Sequence, residues 1–234
     1  MSGRVVGVLG GMGPAATWDF CAKLTAATPA TRDQEHLRVL VDANPSVPDR
    51  NAALEGRGPS PGPRLAEMAR GLERAGAEVL CMPCNAAHAF ADAVREATVV
   101  PFVDMIEATV EATMKRVPAA RRVGLLATTA TLDAGLYERV FAERGVEVVK
   151  PTPEQRGEVM DAIYAVKSGD RGPGPRAAMR RAAEAAVAAG AEALVAACTE
   201  VPLALTPEDL EVPLVASSDA LAVIVVRIAT RTEP

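Results

Sequence analysis

Val6-Gly7-Val8-Leu9-Gly10-Gly11-Met12-Gly13-Pro14 decides the architecture, because its pattern occurs twice. A short apolar run, a small-residue loop and a helix-forming stretch follow one another here. Val123-Gly124-Leu125-Leu126 opens the same succession again. The loop Gly58-Pro59-Ser60-Pro61-Gly62-Pro63-Arg64 returns as Gly172-Pro173-Gly174-Pro175-Arg176, each time at the start of a helical stretch. Those stretches end in Ala75-Gly76-Ala77-Glu78 and Ala189-Gly190-Ala191-Glu192, and the runs that follow finish at Cys84-Asn85 and Cys198-Thr199. Val100-Pro101-Phe102-Val103 and Val212-Pro213-Leu214-Val215 complete the series. Four matches in one order read as a duplicated unit.

Apolar β-type runs alternate with alanine-rich helical stretches, which is the pattern of parallel strands joined by crossover helices. Strands are predicted at Val5–Leu9, Arg38–Val41, Val79–Met82, Phe102–Val103, Val123–Ala127, Val146–Val149, Ala193–Ala196 and Leu214–Val215. The predicted fold is α/β, with two similar Rossmann-like domains of parallel sheet related by a pseudo-two-fold axis. One domain takes residues 1–101 with 214–234 and carries Cys84; the other takes 102–213 and carries Cys198. Ligands of open parallel sheets bind beyond the carboxyl ends of the strands. The active site is therefore expected in the interdomain cleft, with the two cysteines facing each other.

Composition narrows the function. The formal charge of −5 and the scarcity of Trp, Tyr and Phe argue against a nucleic-acid surface. The apolar stretch near Leu221–Val226 ends at Arg227, short of a membrane span. No secretory signal is read at the amino terminus, so a cytoplasmic location is expected. Lysine occurs only at Lys23, Lys115, Lys150 and Lys167, and none has the setting of a pyridoxal Schiff base.

Inverting a carbon centre by proton transfer takes two bases on opposite faces, and paired thiols suit that task. Cys84 and Cys198 each precede a predicted helix, near Asn85 and from Thr199 to Leu205, whose N–H groups would favour a thiolate. A free cysteine is usually a small buried hydrophobe, and Cys21 and Cys81 are read that way. Cys81-Met82-Pro83-Cys84 also fits a redox dithiol or half a zinc site. Zinc would need further ligands, and His36 and His88 lack suitable spacing. The glycine loop ending at Ala16 resembles a dinucleotide fingerprint, but Asp42 lies too far along to serve the ribose. The same loop could present N–H donors to a carboxylate.

Gly7 to Pro14, Pro48-Asp49-Arg50, Met82-Pro83-Cys84-Asn85 with His88, Leu126-Ala127-Thr128-Thr129 and Cys198-Thr199-Glu200 together resemble the aspartate/glutamate racemase family, most closely its aspartate racemases. The resemblance implies catalysis by Cys84 and Cys198 without cofactor or metal, on a small acidic amino acid, in a homodimer. It implies that Asn85 and Thr199 bind the amino and α-carboxylate groups, helped by Thr128 and the loop at Met12. Arg50 and Lys167 resemble the family's cations for the side-chain carboxylate, a role arginine's fork fits well. Ala86, Ala130 and Ala216 depart from the family pattern, each where a threonine, glycine or aspartate is common. L- and D-aspartate interconversion is the leading expectation. A relative acting on glutamate, another amino acid or a diacid stands beside it, as do an amino-acid-binding protein without activity and a nicotinamide oxidoreductase.

Overall fold

Every predicted apolar run becomes a strand in the computed structural model, which describes residues 3–230. The chain order is β1 (Val6–Gly10), α1 (Pro14–Ala27), β2 (Val39–Ala43), α2 (Arg50–Leu54), α3 (Gly62–Arg74), β3 (Val79–Cys81), α4 (Ala91–Ala97) and β4 (Phe102–Val103). Then come α5 (Met105–Arg116), β5 (Arg122–Leu126), α6 (Thr129–Asp133), α7 (Leu136–Ala142), β6 (Glu147–Val149), α8 (Pro153–Lys167), α9 (Pro173–Ala188), β7 (Ala193–Ala196), β8 (Leu214–Ala216) and α10 (Ser217–Thr230). The chain forms two compact units: it leaves the first after Met105 and returns to it after Ser217.

Each unit holds one parallel four-stranded sheet, ordered β2-β1-β3-β4 in the first and β6-β5-β7-β8 in the second. The orders are identical once β5 is read as the counterpart of β1. In the first unit Val6, Val8, Val79 and Cys81 pack on one side of the sheet with Phe20 and Leu24 of α1 and Leu221 and Val225 of α10. Leu9, Leu80 and Met82 pack on the other side with Leu65, Met68 and Leu72 of α3. In the second unit Val123, Leu125 and Val195 meet Val110, Tyr137 and Phe141, while Leu126, Leu194 and Ala196 meet Val159, Ile163, Met179 and Ala183 of α8 and α9. Strands buried on both faces explain why these runs are continuously apolar rather than alternating.

Atomic detail repeats as well. A Cβ at Gly7 would lie 2.6 Å from Leu80 Cδ2 and 2.8 Å from Ala77 Cβ; one at Gly124 would lie 2.7 Å from Leu194 Cδ2 and 2.9 Å from Ala186 Cβ. Gly124 lets α9 approach its sheet where a side chain would collide, and Gly7 makes the same room for Leu80 and for Ala77 in the turn after α3. Glu78 and Glu192, the acidic ends of the repeated Ala-Gly-Ala-Glu segments, serve the neighbouring strand in both units. Glu78 accepts the N–H of Val5 at 2.7 Å, and Glu192 accepts those of Arg121 and Arg122 at 2.5 and 3.0 Å. These donors hold the Glu192 carboxyl below its ordinary range. No helix among the described residues is long and apolar enough to cross a membrane.

Candidate functional site

In the first unit, parallel β1 and β3 end side by side, so the loops after them emerge at the same edge of the sheet. Met12 lies in the loop after β1 and Cys84 in the loop after β3, and both join the buried cluster beneath α3. Cys84 is 7% exposed, so its thiol lies just under the surface. Its neighbour Cys81 is fully enclosed in the cluster on the opposite face, where burial, then Cys21, pushes its thiol far up. The Cys-x-x-Cys pair is thus split between the clusters on the two faces of the sheet. All four cysteines are free, and no His, Cys, Asp or Glu cluster suited to a metal occurs among the described residues.

His88 fastens the Cys84 loop. Its Nδ1 lies 2.8 Å from the Cys84 carbonyl, and its Nε2 accepts the backbone N–H of Met105 at 3.0 Å. An amide can only donate, so Nε2 carries no proton and Nδ1 must hold it. Burial pushes the ring below its ordinary pKa, with Asp104 working against that shift. Asn85 is buried and opens a 3-10 turn, Ala86–Phe90, rather than the predicted α-helix. A turn this short has little dipole to offer a thiolate, which corrects the expectation of a helix amino terminus at Cys84.

Arg50 begins α2, capped by Asp49, whose side chain accepts the N–H of Ala52. Its Nη1 donates to the carbonyls of Val47 and Pro48 at 3.1 and 3.0 Å, which fixes the guanidinium by its own loop. One amide of the glycine loop is already engaged within the fold. Gly11 N–H donates to Thr17 Oγ1 at 2.8 Å, and Thr17 in turn donates to the Gly13 carbonyl at 2.9 Å. Gly11 sits at φ +91°, with Asn44 backbone 2.4 Å from where a Cβ would stand. That amide is committed within the fold, so it is not offered to a ligand carboxylate or phosphate.

In the second unit Thr128 and Cys198 each stand two residues beyond the ends of the paired strands β5 and β7. Thr128 is buried and caps α6: its Oγ1 accepts the N–H of Thr131 at 3.2 Å and lies 2.9 Å from that residue's hydroxyl. Cys198 donates to Glu200 Oε2 at 3.0 Å, Thr199 Oγ1 donates to the same oxygen at 3.3 Å, and Lys167 Nζ meets Glu200 Oε1 at 2.7 Å. One buried carboxylate thus gathers Cys198, Thr199 and Lys167. A 3-10 turn, Val201–Leu203, replaces the predicted helix after Cys198. Burial and then the Glu200 charge push the Cys198 thiol well above its ordinary range, while Lys167 pulls it back in part. The expected lowering of this thiol is corrected accordingly.

The sequence reading gave no role to His88 or Glu200. His88 stands one helical turn after Cys84, and Glu200 is an acid two residues after Cys198. Those spacings were the available signal. The two units place Met12, Arg50, Cys84 and Asn85 in the first and Thr128, Lys167, Cys198 and Thr199 in the second.

Comparison with known proteins sets this arrangement in context. A family model described as Asp/Glu/Hydantoin racemase matches residues 9–225. The broad specificity amino-acid racemase RacX of Bacillus subtilis is 26% identical over 93% of this chain and 95% of its own. The aspartate racemase of Picrophilus torridus is 31% identical, with a TM-score of 0.83 over 99% of this chain and 96% of that one. An aspartate racemase homologue from Pyrococcus horikoshii is 26% identical, with a TM-score of 0.77 over 97% and 100%.

Proposed function

The chain belongs to the Asp/Glu/hydantoin racemase family, and from that membership we propose that it interconverts L- and D-aspartate without a cofactor, using Cys84 and Cys198 as its two proton-transferring thiols. The observation that carries this reading is the equivalence of the two cysteines. Each follows the third strand of its sheet and joins the cluster on the glycine-bearing face of that sheet.

One thiolate takes the α-proton, so a Cα–H bond breaks, an S–H bond forms and the electron pair remains on carbon. The opposite thiol then gives its proton to the other face of the same carbon. Donors around the α-carboxylate stabilise the carbanion. Asn85, Thr128, Thr199 and the loop at Met12 are assigned to the amino and α-carboxylate groups. Arg50 and Lys167 are assigned to the side-chain carboxylate, for which Lys167 exchanges its Glu200 partner. The same reading takes the enzyme to be a cytoplasmic homodimer, which sedimentation and cell fractionation would test.

A second reading, a racemase of wider amino-acid range, is favoured by Ala86, Ala130 and Ala216, which trim polar groups near the assigned site. The Bacillus subtilis relative, named for broad specificity, supports it too. The discriminating experiment follows enantiomer formation from a panel of L-amino acids by chiral chromatography. Aspartate turning over fastest is the expected result, comparable rates for neutral amino acids would favour the second reading, and no racemization of any would overturn both.

A further inference from the structure

The arrangement around Glu200 carries a consequence for how Cys198 becomes a base. Glu200 is 3% exposed, and its two oxygens point to different partners: Oε1 to Lys167 Nζ at 2.7 Å and Oε2 to Cys198 Sγ at 3.0 Å. A buried carboxylate is retained at a cost unless its charge is compensated. Lys167 supplies that compensation, so the group of thiol, carboxylate and ammonium is neutral as a whole.

We propose that Glu200 is the positioning residue that takes the Cys198 proton, and that Lys167 sets how readily it does so. This proposal rests on the reading of Cys198 as a proton-transferring thiol. In the step, the S–H bond of Cys198 breaks, an O–H bond forms at Glu200 Oε2, and the negative charge moves from oxygen to sulfur. The group remains neutral throughout. Loss of the same proton to water would instead leave two anions beside one cation in a buried place, which burial opposes. A ligand carboxylate that draws Lys167 away removes the cation from Glu200 and strengthens its hold on the thiol proton. Substrate arrival and thiolate formation are thereby linked through one side chain.

The charged groups acting on Cys198 are Glu200, which raises it, and Lys167, which lowers it. The test titrates the thiolate ultraviolet absorbance of the full-length protein and subtracts the matching Cys198→Ser protein. In Glu200→Gln the Cys198 midpoint should fall by about one to three pH units, because a like charge has been removed. In Lys167→Met it should rise. Racemization by Glu200→Gln should slow even though its thiol ionises more easily, a pairing that a merely structural role would not produce. An unchanged or raised midpoint in Glu200→Gln, or an unchanged or lowered one in Lys167→Met, would overturn the proposal. If the midpoints move as stated but no amino acid is racemized by the parent protein, the coupling of Glu200 to Cys198 stands and the racemase reading falls.

Discussion

The backbone N–H of Met105 donates to Nε2 of His88, and the other nitrogen of that ring reaches back to the Cys84 carbonyl. His88 thereby ties the cysteine loop to the residue at which the chain leaves the first unit. Protonating Nε2 would break the Met105 bond, so the folded state favours the neutral ring, in line with its lowered pKa.

The unfolded chain then binds a proton on His88 at a higher pH than the folded one. Stability from this residue is complete above the unfolded value of about 6.5 and declines as pH falls below it toward the folded value. Urea midpoints of the wild type should drop more steeply between neutral and mildly acid pH than those of His88→Gln. Parallel profiles for the two proteins would contradict the assignment.

Thr17 is predicted to be a structural residue of the glycine loop. Thr17→Val removes the acceptor of the buried Gly11 N–H and should cost about 1–3 kcal/mol in urea unfolding. Thr17→Ser retains the hydroxyl and should recover most of that loss. Equal stability of the valine and serine variants would mean that the loop does not depend on this bond.

The repeated glycines provide a test of the duplication at atomic scale. Gly7→Ala and Gly124→Ala each drive a methyl group against a strand leucine and an alanine, Ala77 in the turn before β3 and Ala186 in α9. Each should destabilise the protein by about 1–3 kcal/mol through overpacking. Thermal unfolding of both variants would show it, and tolerance of alanine at either site would argue that the two sheets pack differently from one another.

The fold was legible because both faces of each sheet are buried, which leaves uninterrupted apolar runs such as Val6–Leu9 and Val123–Leu126, and because each run is repeated. The placement of Cys84 and Cys198 beyond their strands could be read for the same reason. What surrounds the thiols could not. The apolar and small residues after Asn85 and Thr199 fit an α-helix as well as the 3-10 turns Ala86–Phe90 and Val201–Leu203 that form there. The Gly10–Gly13 loop looked like a bank of donors because sequence does not reveal that Thr17, one turn into α1, folds back to claim one of them. Glu200 reaches Lys167 across 33 residues of sequence, a separation at which pattern carries no information.

The two-thiol account is tested most directly by following α-proton exchange and chirality together in deuterium oxide, with Cys84→Ser and Cys198→Ser each supplied separately with L- and D-aspartate. Each variant should lose racemization by roughly 10²–10⁴-fold while still exchanging the α-proton of one enantiomer, and the two variants should favour opposite enantiomers. Wild-type racemization by either single variant would contradict the account.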